Sequence, residues 1–118
     1  LKLFSGYSSF GKVYNNKRKM NTKDRIFELV SQIPKGKVTT YGQIARMTDT
    51  GPRVVGAYLH QNDDPKTFHC HRVVHSDGTL AGGYAFGGKD TQMKLLQTEG
   101  VQFLKNKIDL KEFGWVLT

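Results

Sequence analysis

The sequence predicts an α+β fold, mostly helical and built around a helix-turn-helix, and three features carry the prediction. Apolar residues recur at three- and four-residue steps through Ile26, Leu29, Val30 and Ile33 and stop at Pro34. Two further short helical patterns, each with its own start signal, flank the turn Thr48-Asp49-Thr50-Gly51. Extended character is confined to brief runs such as Val38-Thr39-Thr40 and Arg72-Val73-Val74, too short for a large sheet. A chain of 118 residues has room for about one domain.

The elements follow in order. Residues 1–20 hold Lys2, Lys12, Lys17, Arg18 and Lys19 with no acid, and their glycines, serines and paired asparagines lack periodicity. They read as a basic, disordered arm, either DNA-binding or a remnant foreign to the fold, ahead of a domain spanning 21–118. Asn21 or Thr22 caps the first helix. Pro34-Lys35-Gly36-Lys37 is turn chemistry. Thr40 and Gln43 have the spacing of a capping box, which starts a second helix through Met47. Pro52 suits a first helical position, where its missing amide is no loss, and begins a third helix that buries Val55 and Leu59. Such a pair reads as a DNA-binding helix-turn-helix or as an ordinary helical hairpin. Gly56 and Ala57 favour the first, because a helix without bulk on its exposed side can press against a narrow groove.

Asp77-Gly78 is a tight turn. Gly82, Gly83, Gly87 and Gly88 bracket Tyr84-Ala85-Phe86, a loop whose backbone approaches something closely. A last helix begins at Lys89 or Asp90, turns Met93, Leu96 and Leu95 inward, and ends at Glu99-Gly100, where glycine suits a left-handed cap. Ile108, Leu110, Phe113, Trp115 and Val116 form a C-terminal packing segment.

The formal charge is +8, with 37% hydrophobic residues, which excludes a fully disordered chain and fits a polyanionic partner without demanding one. No stretch approaches the ~18 apolar residues of a membrane span, and no apolar run of signal-peptide length opens the chain. The single cysteine, Cys70, has no partner for an internal disulfide, so a reducing compartment is expected.

His60, His69, Cys70, His71 and His75 fall within sixteen residues, and three readings of the thiol compete. A zinc site lacks the paired-cysteine spacing of structural zinc modules, and consecutive residues point to alternating sides when extended. A buried structural thiol would want apolar neighbours in sequence, and those are missing. A reactive thiol fits better, since thiolate is the nucleophile and His71 and Arg72 supply a neighbourhood that can lower the thiol pKa. A carboxylate elsewhere would orient the imidazole, and Glu99 is one candidate among ten acids.

The run Cys70-His71-Arg72-Val73-Val74, following a helix-turn-helix with Arg53 and Asn62, resembles the catalytic domain of the O6-alkylguanine-DNA alkyltransferases. The resemblance covers about residues 22–104. It rests on five ordered blocks: Gly36 to Ala45, Arg53-Val54-Val55-Gly56, the His-Cys-His-Arg-Val run, Gly82-Gly83-Tyr84, and Leu95 to Gly100. It implies a winged helix-turn-helix architecture and a single-use reaction in which Cys70 takes the alkyl group from O6-alkylguanine in double-stranded DNA. His71 would act through water as base, Glu99 would position it, and Asn62 would brace the cysteine turn and stabilise the thiolate.

The resemblance further implies that Tyr41 rotates the target phosphate and donates toward the guanine. Arg53 would fill the vacancy in the base stack, with Gly56 and Ala57 also on DNA; Ser76 reads either as a donor to phosphate or as a cap of the Asp77-Gly78 turn. Leu59, Tyr84 and Ala85 would line the base pocket with Tyr41. Flipping is required because the alkylated oxygen lies inside the duplex. A monomer with no metal and no cofactor is implied, placed in the cytoplasm, or in the nucleus of a eukaryote. Three departures stand out. His69 replaces the family's proline, Ala85 replaces a hydroxyl or longer polar residue, and the family's N-terminal domain has only the basic arm in its place. The alternatives are a related sensor that binds alkylated guanine without repairing it, and a winged-helix DNA-binding module without a catalytic thiol.

Overall fold

The computed structural model describes residues 20–115. All but Met20 of the basic arm, and Val116 of the C-terminal packing segment, lie outside the described residues. Helix α1 spans Thr22–Ser31 and is capped by Asn21, whose side chain accepts from the Asp24 amide at 2.8 Å. Its inward face is Ile26, Phe27 and Val30, and Ile33 follows in the turn beyond, fully buried.

Strand β1, Thr39–Thr40, leads directly into α2, Tyr41–Thr48. The threonine half of the capping box is in place, with Thr40 Oγ1 accepting from the Gln43 amide at 3.1 Å. Asp49 closes α2 in the left-handed region, φ 58°, where a short polar side chain is tolerated, and the Thr50 amide returns to the Ala45 carbonyl. Helix α3, Pro52–Leu59, opens with its proline and buries Val55 and Leu59 against α1 and α2.

Beyond α3 the chain crosses to a single 3-10 turn at Cys70–Arg72 and then β2, Val73–Val74. Strands β1 and β2 pair in parallel, Thr39 opposite Val73 and Thr40 opposite Val74. Adjacent strand residues point to opposite faces, and this alternation divides the interior in two. Val73 joins a core with Ile26, Val30, Ile44 and Val55, while Val74 joins one with Val38, Leu80, Leu96 and Ile108. Each such fully buried aliphatic side chain contributes roughly 1.5–3 kcal/mol.

The second core is closed by α4, Gly88–Thr98, by the antiparallel hairpin of β3 (Phe103–Leu104) and β4 (Lys107–Ile108), and by the short α5, Leu110–Phe113. The end of the described chain returns to β1: Val38 donates to the Phe113 carbonyl and accepts from the Trp115 amide. None of the described helices is long and apolar enough to cross a membrane.

Four details differ from the sequence reading. Arg72 belongs to the 3-10 turn instead of the extended run. Helix α4 begins at Gly88, one residue earlier than expected, and its inward positions are Leu96 and Gln92, with Met93 and Leu95 only half-buried. The β3–β4 hairpin was not anticipated, because its turn residues Lys105 and Asn106 adopt φ 54° and 65° without the glycine that usually signals such a turn.

Candidate active site

Three local constraints aim the Cys70 thiol. His69 has φ −81° and ψ 62°, and the Cys70 amide donates back to the Phe68 carbonyl at 2.8 Å, so the residue before the cysteine is the centre of an inverse γ-turn. That φ lies close to what proline imposes, which accounts for histidine occupying the position without backbone strain. The Arg72 amide then bonds the His69 carbonyl at 2.9 Å and tightens the turn. Asn62, buried just past α3, supplies the third constraint. Its Nδ2 donates to the Phe68 carbonyl at 2.8 Å and to Cys70 Sγ at 3.3 Å, while its Oδ1 accepts from the Asp64 amide. With both ends of the amide committed, its orientation is fixed.

Behind the thiol lies a charged cluster. His71 Nε2 is 2.9 Å from Glu99 Oε2, and Arg72 grips the same carboxylate through Nε and Nη2 at 3.0 and 2.8 Å. The third arm of the guanidinium donates to the Ile33 carbonyl at the end of α1. All three side chains are about nine-tenths buried. Burial opposes ionisation of Glu99, but the bonds from Arg72 and then His71 outweigh it and hold the carboxyl below its ordinary range. Burial likewise holds His71 below the ordinary imidazole value, more strongly than Glu99 raises it, so the ring is neutral near pH 7. An ionised carboxylate only accepts, so Nε2 carries the proton and Nδ1 keeps a free lone pair.

The thiol differs from the sequence expectation. Burial pushes Cys70 above its ordinary value, and the opposing bond from Asn62 and the backbone do not reverse this. Arg72 does not depress the thiol, because its guanidinium is spent on Glu99 and Ile33. At rest Cys70 is a protonated thiol beside a neutral base.

Cys70 opens into a small cleft between α2, α3 and the glycine-rich loop. Tyr41, Gly56, Leu59, Tyr84 and Ala85 line it, which brings five of the sequence-predicted residues together around the sulfur. Burial, and secondarily the Cys70 charge, raise both tyrosines above their ordinary range. Arg53 and Ala57 lie exposed on α3 and Ser76 on the turn after β2, and none of these lines the cleft. Among the described residues no three His, Cys, Asp or Glu side chains converge as a metal-binding group.

Sequence reasoning missed two residues of the cleft wall and underrated a third that stands behind it. Gln92 lines the cleft and donates to the His71 and Val73 carbonyls at 3.0 and 3.3 Å, holding the 3-10 turn from α4. A glutamine one turn before Leu96 on the inward face was the available signal. His60, also on the wall, reaches the Gly83 carbonyl at 3.2 Å and ties α3 to the loop, a pairing that nothing local announces. Arg72 figured in the sequence only as a neighbour of the thiol and is the buried partner of Glu99.

The family model described as 6-O-methylguanine DNA methyltransferase, DNA binding domain, matches residues 21–101. The methylated-DNA–protein-cysteine methyltransferase of Methanopyrus kandleri is 47% identical over 75 residues, 64% of this chain and 55% of that protein. Among solved structures, S. pombe Atl1 in complex with damaged DNA containing O6-carboxymethylguanine superposes with a TM-score of 0.71 at 31% identity, covering 80% of this chain and 94% of that one. The O6-methylguanine-DNA methyltransferase of Pyrococcus kodakaraensis gives 0.61 at 34% identity, covering 70% and 47%. Against the curated relatives the chain spans between 30 and 62% of their length. With the match running from the cap of α1 through the site to Val101, the chain belongs to the 6-O-methylguanine DNA methyltransferase DNA-binding domain family.

Proposed function

We propose that the protein repairs DNA by moving an alkyl group from O6 of guanine to Cys70 in a single irreversible turnover. One observation carries the reading: a thiol bonded by Asn62 opens into a cleft beside a neutral histidine whose far nitrogen is held by a carboxylate. A thiol raised by burial must lose its proton when substrate arrives, and His71 Nδ1 takes it through a water. The imidazolium so formed is stabilised by Glu99, which Arg72 keeps ionised. Sulfur attacks the alkyl carbon, the S–C bond forms as the C–O6 bond breaks, and guanine leaves with its electron pair on O6. Tyr41, on the cleft wall, supplies the proton that neutralises the departing guanine and regains one from solvent, while the imidazolium gives the thiol's proton back to solvent. Because a thioether forms and nothing in the scheme cleaves it, one molecule serves one lesion.

DNA is engaged through α3. Its exposed face presents Arg53, Val54 and Ala57, and a Cβ added at Gly56 would stand 3.9 Å from the Tyr41 ring. The small residues let the helix sit in the minor groove, Arg53 fills the stack the base vacates, and Ser76 contacts the backbone. Leu59, Tyr84 and Ala85 receive the flipped base with Tyr41. The protein works as a monomer without cofactor, in the compartment that holds the DNA: cytoplasm, or nucleus in a eukaryote.

A second reading, recognition of alkylated guanine without transfer, draws support from the match over nearly the whole of the damaged-DNA complex of Atl1. Intact-mass measurement after incubation with a duplex carrying one O6-methylguanine separates the two. A gain of one methyl group confined to Cys70 and absent from Cys70→Ser is expected. Tight lesion binding with no mass gain would overturn transfer in favour of sensing.

A further inference from the structure

We propose that His75 is a contact for a DNA backbone phosphate at the mouth of the cleft, an inference that rests on the DNA-repair reading. The parallel register of β1 and β2 places Thr40 opposite Val74, so the residues that follow the two strands, Tyr41 and His75, emerge side by side. Their rings meet at 5.7 Å between centroids, tilted by 48°. Tyr41 lines the cleft, and His75, exposed, lies against its ring. A nucleotide whose base enters the cleft keeps its phosphates outside, at this edge.

The backbone that carries the imidazole is fixed in advance of binding. The His75 amide donates to the Thr79 carbonyl and its own carbonyl accepts from Gly78, both at 2.9 Å, so the backbone on either side of the ring is fixed by the turn. The nearest acid on that turn, Asp77, does not compete for the ring. Its carboxylate accepts from the Thr79 amide and hydroxyl at 3.0 and 2.7 Å and faces Lys107 of β4. Ser76, the residue after His75, is exposed on the same turn and adds a second donor. An imidazole N–H and a hydroxyl on a rigid turn beside an aromatic wall suit one phosphate oxygen pair better than a base edge, which would need planar, bidentate presentation.

The test is equilibrium binding to a duplex with one O6-methylguanine, over a salt series, using Cys70→Ser protein so that transfer does not consume the substrate. In that background His75→Ala is expected to weaken binding several-fold and His75→Glu further. His75→Lys is expected to tighten binding and steepen the slope of log K against log salt by about one, the release of one counterion. Gln97→Lys, which adds the same charge on the exposed end of α4, is expected to leave the slope unchanged. Equal affinities and slopes across the three His75 variants would overturn the inference while leaving the repair reading intact. So would a slope change of the same size in Gln97→Lys, since that would trace the effect to net charge. Failure of the Cys70→Ser protein to bind any duplex would overturn both readings.

Discussion

At Cys70, His71 and Glu99 the directions of the pKa shifts fix how stability depends on pH. His71 is held below its ordinary 6.5 and Glu99 below its ordinary 4.5. Between each folded value and the ordinary one the unfolded chain binds the proton and the folded chain does not. Acidification therefore destabilises the fold, first below about 6.5 and again below about 4.5. Cys70 is raised above its ordinary 9.0, so above that pH the unfolded chain ionises first and stability falls again. Melting temperature followed against pH is expected to show a plateau between these limits, with the alkaline decline reduced in Cys70→Ser. A monotonic rise through pH 10 would contradict the buried thiol. Asn62→Ala removes the one side-chain donor to sulfur among the described residues, worth about 1 kcal/mol, and is expected to slow methyl transfer roughly fivefold in single-turnover mass measurements.

The elements are short, so their ends matter more than their middles. Thr40 both ends β1 and caps α2, and Thr40→Ala is expected to lose about 1 kcal/mol in urea unfolding. Gly78 faces a harder constraint: φ is +88° and an added Cβ would stand 2.3 Å from the Ile108 carbonyl oxygen. Gly78→Ala combines backbone strain with a clash against β4, and a loss of about 2 kcal/mol or more is expected in the same measurement. Helices α1 to α4 were legible because each announces itself locally: Asn21 and Thr40 as caps, Pro52 at a helix start, Gly100 as a left-handed stop; α5, a single turn, was read only as packing. The strands were legible only in part, since a two-residue parallel ladder leaves no periodicity to read. Its existence depends on residues far apart in sequence. The same distance hid the partnerships of Arg72, Gln92 and His60, whose side-chain types were visible while their targets were not. Tyr41, Leu59, Tyr84 and Ala85 were placed through the family resemblance, since spacing alone says nothing about a cleft formed by three separate segments.

Across the whole domain, the two cores meet at the charged cluster. Arg72 joins the end of α1, through the Ile33 carbonyl, to Glu99 at the end of α4. Removing the guanidinium leaves a buried carboxylate with His71 but without its cationic partner, so Arg72→Met is expected to cost about 3 kcal/mol and to lower the cooperativity of thermal unfolding. Amide exchange should then quicken in α4 ahead of α2 and α3, and uniform acceleration across both cores would argue against this coupling.

The parallel pairing of Thr39-Thr40 with Val73-Val74 has one more consequence. The chain leaves β1, runs through both helices of the helix-turn-helix and the cysteine turn, and comes back to the strand it left. The thiol gains Asn62, the aromatic wall and its shelter from water only when that excursion closes, and loses all of them when it opens. The pace at which an alkylating thiol reagent consumes Cys70 is therefore a clock for closure of the fold, and a newly made chain carries an unguarded nucleophile until its two short strands have met.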